Sequence, residues 1–121
     1  MTDKENSGPV RGSGDFLKDM GYADPEEMRV KFALANAIAL EIEDRNLKQA
    51  DVAKAAGISQ ADVSRIANGV VKDYSVFRLM RVLTALGKDI HIGISDASSE
   101  RGRIVATEPS RETEPALSTA P

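Results

Sequence analysis

The chain contains no cysteine and one histidine. The first absence excludes a disulfide framework, a thiolate nucleophile and a thiolate metal site, and it fits a reducing compartment. The second leaves no pair of imidazoles from which to build a metal centre. Long apolar runs are missing too. None approaches the roughly 18–20 residues needed to cross a bilayer, and the polar residues 1–15 lack the apolar stretch of a secretory signal. The expectation is a soluble, cytoplasmic protein with no membrane partner. The acidic residues are scattered over helix faces with no apolar pocket to shift their titration. Ser59 and Ser64 have no base beside them in the sequence. No catalytic constellation, cofactor or metal site is therefore expected.

What remains is 121 residues with a formal net charge of −3, room for one compact domain of about 70–80 residues plus tails. A core of that size is modest, and such domains often recruit a second subunit to complete it. The net charge hides an uneven distribution. Residues 48–81 carry six basic side chains (Lys48, Lys54, Arg65, Lys72, Arg78, Arg81) against three acidic ones (Asp51, Asp62, Asp73). That segment is net +3 inside a chain whose remainder is net −6. Phosphates respond to local potential, so one basic segment is compatible with nucleic acid. The acidic remainder predicts modest, salt-sensitive affinity for each monomer.

Residues 1–13, rich in Gly, Ser, Pro and charge, read as a disordered tail, and so do residues 95–121, with three prolines among many Ser, Thr and Glu. The folded unit is expected over residues 14–94. Asp15 to Met20 reads as a short helical turn stopped by Gly21. Asp24-Pro25-Glu26-Glu27 is a strong helix start: a capping side chain, a proline suited to the first position, and acids at the positive end of the dipole. The helix it opens is expected to reach about Arg45, with Met28, Phe32, Ala35, Ile38, Ala39 and Ile42 on one apolar face. A second helix is expected from near Lys48 to Gly57. A third should run from Gln60 to Ala67, capped by Ser59 and ended by Asn68-Gly69. A fourth covers Ser75 to Leu86, with Val76, Leu79, Met80, Leu83 and Leu86 inward and Gly87 closing it.

After residue 88 the period changes. Ile90, Ile92 and Ile94 alternate, which is a strand signal over residues 89–94. A lone apolar strand has no partner in its own chain and is a liability unless another chain pairs with it. The economical arrangement is a twofold homodimer in which two copies of the strand run antiparallel. The alternative is an extension lying on the core. His91, inside this segment, reads as a surface or interface residue.

The informative stretch runs from Leu47 to Gly69. Val52 and small Ala53 suit a helix crossed closely by the next one, Gly57 suits the turn between them, and Ile58 covers that turn. Val63 and Ile66 anchor the third helix from beneath, which leaves Gln60, Ala61, Ser64 and Arg65 outward. Those side chains suit base edges: Gln spans adenine N6 and N7, Arg grips guanine, and Ala meets a thymine methyl. Gln49 at the head of the second helix is placed for a phosphate, which its side chain and the helix amides would share. Asn68, Lys72 and Tyr74 follow the third helix along the expected backbone path. Ser59, the expected cap of the third helix, is also a candidate DNA contact. The plainer reading of each is a solvated surface, and Asp62, three residues before Arg65, is positioned to pair with it.

The run Leu47-Lys48-Gln49-Ala50, Ala53, Gly57-Ile58-Ser59-Gln60, Val63-Ser64-Arg65-Ile66, Asn68-Gly69 resembles the Cro/CI-type, or XRE-family, helix-turn-helix over about residues 30–88. Ala67 departs from it, since many members carry glutamate there. The resemblance implies an all-α, lambda-repressor-like bundle that binds double-stranded DNA, here with a C-terminal strand pairing across a dimer at a palindromic operator. Two further stretches, Ser13 to Glu27 and Leu86 to Ile94, are similar to HigA-type antitoxins. That similarity implies a repressor of its own operon with a toxin protein as partner, the N-terminal segment being a candidate toxin contact. A stand-alone phage-repressor-like regulator and a module that mainly sequesters a protein remain alternatives.

Overall fold

The computed structural model describes residues 24–107. Among them are four helices: α1 (Pro25–Asp44), α2 (Gln49–Ala56), α3 (Gln60–Ala67) and α4 (Val76–Ala85). Each lies within a residue or two of its expected span. The expected turn over Asp15–Met20 lies outside the described residues.

The helix starts follow local chemistry. The Asp24 carboxylate accepts the Glu27 amide at 3.1 Å, with Pro25 in the first turn beside Glu26 and Glu27. Ser59 Oγ accepts the Asp62 amide at 3.0 Å, and Ser75 Oγ accepts the Arg78 amide at 3.0 Å. Each cap satisfies an amide that the helix itself leaves unpaired. The helix ends share one device, an amide that reaches back five residues past a left-handed residue. Leu47 N–H donates to Ile42 O, Ile58 N–H to Ala53 O, Val70 N–H to Arg65 O and Lys88 N–H to Leu83 O, at 2.8–3.0 Å. The left-handed residue is glycine after α2, α3 and α4, and Asn46 (φ 52°) after α1.

α1 packs against α4 and α3, while α2 packs against α3 and α4. Ile38, Val52, Val63, Ile66, Val71 and Leu79 form the fully buried centre. The buried surface of α1 is broader than a single stripe. Met28, Ala35 and Ile38 point inward as expected, but Val30 and Leu34 are buried as well, and Phe32, Ala39 and Ile42 only partly so. The reason is that α1 is covered on two flanks. It packs on both α3 and α4, and its Val30, Leu34 and Ala37 line one groove with Val76 and Met80 of α4 and the segment after Gly87. Lys31 is the buried charge of the described core, at 6% exposure. Its ammonium donates to Lys72 O at 3.0 Å and pairs with Glu27 at 3.3 Å, so the charge is satisfied rather than stranded.

Residues 89–94 form no strand within the single chain. Ile90 is half-buried against the core, whereas Ile92 and Ile94 stand 77% and 96% exposed. A strand is defined by hydrogen bonds to a neighbour, and the described part of this chain offers none. Beyond it the backbone returns to α1. The Ile104 amide donates to Glu26 Oε2 at 2.7 Å and Ala106 packs on the core.

Candidate nucleic-acid interface

The two-helix unit α2–α3 is held by burial from below. Val52 and Ala53 of α2 and Val63 and Ile66 of α3 are all buried. Gly57, at φ 70° with open space around a notional Cβ, makes the turn in a conformation that costs glycine least. With Val63 and Ile66 fixed, the helical period turns Gln60, Ala61 and Arg65 outward, and Ser64 sits half-buried at the edge. Gln49 opens α2 behind Lys48, whose side chain makes no cap hydrogen bond. The four α3 positions expected to read bases therefore do share one face, with Gln49 at the head of the neighbouring helix.

The flanking residues divide. Lys72 is exposed while its carbonyl is held by Lys31. Asn68 is exposed and its amide donates to Ser64 O at 2.9 Å, closing the end of α3. Tyr74, expected along the backbone path, turns inward: it is 7% exposed and its hydroxyl donates to Asp62 Oδ1 at 2.5 Å. That leaves it no donor for a phosphate. Its ring is large enough to fill core space, and its hydroxyl needs a polar partner once buried.

Asp62 gathers two of the basic side chains of this surface, Arg65 and Arg78. Arg65 Nη1 lies 3.2 Å from Oδ1 and Arg78 Nη2 lies 3.9 Å from Oδ2, with the Arg78 guanidinium over the Tyr74 ring at 5.2 Å. The Tyr74 hydrogen bond, then bonds from the Ser59 hydroxyl and amide and the charge of Arg65, hold the Asp62 carboxyl below the usual carboxylate range. Burial, and then the same bond to Asp62, push the Tyr74 phenol up. At neutral pH the pair is thus a carboxylate and an intact phenol. The Asp62–Arg65 pairing was legible from the three-residue spacing. Tyr74 and Arg78 as members of the group were not, because they come from a different element.

Ser59 is first of all a cap. Ser59→Ala is expected to lower stability by about 1 kcal/mol, seen as a lower thermal midpoint by circular dichroism. An unchanged midpoint would mean that α3 does not depend on this bond.

Among the described residues no group of three His, Cys, Asp or Glu is placed to hold a metal ion, and no helix is long and apolar enough to cross a membrane. Comparison with curated proteins gives no match. A solved chain assigned to the XRE family of transcriptional regulators superposes with a TM-score of 0.58 at 36% sequence identity, covering 70% of this chain and 92% of that one. The helix-turn-helix domain family matches residues 16–95, a span that includes all four helices. With the α2–α3 geometry and both comparisons in agreement, the chain belongs to the helix-turn-helix domain family, in its XRE branch.

Proposed function

We propose that this protein is a sequence-specific DNA-binding transcriptional regulator that places α3 in the major groove. The observation that carries the reading is the outward face of Gln60, Ala61, Ser64 and Arg65 over a buried base of Val63 and Ile66, within the one net-positive segment of the chain. Base edges are read by the α3 face, while Gln49, Ser59, Asn68 and Lys72 lie where phosphates pass. Tyr74 serves from beneath by fixing Asp62 rather than by touching DNA. The membership of the family and the XRE regulator among its structural relatives support this reading.

The working unit in this proposal is a homodimer joined through residues 89–94. The exposed Ile92 and Ile94 support it, since a second copy of the segment supplies both a pairing edge and an apolar cover. Such a dimer binds a palindrome with half-sites about one helical turn, ~10 base pairs, apart. Within the class, the resemblance of Leu86 to Ile94 and of the N-terminal segment to HigA-type antitoxins supports an antitoxin that represses its own operon. A small basic protein encoded next door would be the partner to test by co-purification. A second reading, a module that chiefly holds a protein, is favoured by the exposed Phe77 and Ile104.

The test is a fluorescence-anisotropy titration with duplex DNA from upstream of the gene against a shuffled duplex, at two salt concentrations. Arg65→Ala is expected to weaken the specific complex by about 1–3 kcal/mol and relax preference at one base pair, with helicity unchanged. Equal binding of both duplexes by the wild type would sink the DNA reading and favour the protein-holding one.

A further inference from the structure

We propose that Asp62 is a specificity-determining positioning residue: it holds the Arg65 guanidinium in one place on the reading face, and so converts a general cation into a selective one. The inference rests on the DNA-reading function above.

A carboxylate in the first turn of α3 is at first sight misplaced, because it repels phosphates in the most basic part of the chain. Its geometry explains what it does instead. One oxygen accepts from buried Tyr74 at 2.5 Å and from Arg65 at 3.2 Å, and the other faces Arg78 at 3.9 Å. Tyr74 belongs to the loop after α3, and Lys31 of α1 ties down that same loop through the Lys72 carbonyl at 3.0 Å. A continuous path of hydrogen bonds and covalent chain therefore runs from the core to the guanidinium of Arg65. The plainer role, a reciprocal cap with Ser59, accounts for the bond between those two residues. It accounts for neither the Tyr74 anchor nor the two arginines.

A free arginine on a half-exposed surface finds phosphate on any DNA. A guanidinium held by a carboxylate loses much of that freedom, and its rigid fork then meets a guanine edge only where one is presented. Asp62 thus lowers affinity for DNA in general and raises the difference between one sequence and another. Discrimination is a difference of affinities, and a repulsive element contributes to it as much as an attractive one.

The test uses the full chain and two duplexes: one enriched by the wild-type protein from a randomised library, and a shuffled version of it. Asp62→Asn keeps the size of the side chain and an oxygen able to accept from Tyr74, but removes the charge. The variant is expected to bind the shuffled duplex about threefold more tightly and to show a salt slope steeper by about one, because Arg65 now finds a phosphate. Its preference for the enriched duplex is expected to fall about tenfold. In an Arg65→Ala background the same substitution should leave preference unchanged, which isolates the pair. An unchanged preference in Asp62→Asn, or a parallel loss on both duplexes with a lower thermal midpoint, would overturn the proposal and leave Asp62 as a cap. Failure of the wild type to enrich any duplex would overturn the DNA reading itself and this inference with it.

Discussion

Ile92→Asp is expected to yield a fully folded monomer that binds a two-half-site duplex about a hundredfold to ten-thousandfold more weakly than the wild type. The size of the effect comes from the linkage of two half-sites, not from any touch between Ile92 and DNA. Ile92 is 77% exposed and supports no core packing in the single chain, so helicity and thermal midpoint should barely change. In the proposed dimer, however, each copy brings the other's α3 to the second half-site, and the second binding step becomes intramolecular. A charge buried between two paired segments carries a desolvation cost that the pairing does not recover. Light scattering and anisotropy on single and double half-sites check both parts. A dimer that survives the substitution would place the interface elsewhere. A monomer that still binds the double site at full strength would remove the need for a dimer.

Leu79→Ala is expected to produce the opposite pattern, with large damage to the fold and none specific to DNA. Leu79 has no solvent exposure and lies in α4, which packs on both α1 and α2. Truncation removes the transfer free energy of three carbons and leaves a cavity that the helices around it fill only in part, for about 2–5 kcal/mol. Domains of this size have total stabilities of about 5–15 kcal/mol, and each kcal/mol moves the midpoint by about 4–8 °C. The midpoint should therefore fall by about 8–40 °C in a circular-dichroism melt. Leu79→Met, which conserves volume, should cost under about 1.5 kcal/mol. DNA affinity in the alanine variant should recover on cooling to where the chain is folded. A loss below about 1 kcal/mol would show that α4 closes over the gap.

Features governed by neighbours within a turn or two were legible in the sequence. Asp24-Pro25, Ser59, Gly57 and Gly87 mark helix ends because caps and left-handed residues act over three to five positions. The outward face of α3 followed from the burial of Val63 and Ile66. Features that depend on remote partners were not legible. Val30 and Leu34 fall off the single stripe expected of α1 because a second flank is covered. Nothing around Lys31 in the sequence marks it for burial, because its partner, the Lys72 carbonyl, lies 41 positions later. Tyr74 reads as a surface contact until Asp62, twelve positions earlier, takes its hydroxyl. The alternation of Ile90, Ile92 and Ile94 is plain, but what answers it is not in the described part of the chain.

The tie between Lys31 and the Lys72 carbonyl has a consequence for how the protein meets DNA. The loop after α3 is fastened by its backbone while the Lys72 side chain stays exposed, so the path that would follow a phosphate strand is set before any DNA arrives. In the proposed complex the adjustment then falls on the duplex. Bending and groove width differ in energy from one base step to another, so a reader that does not bend will rank sequences at base pairs it never touches.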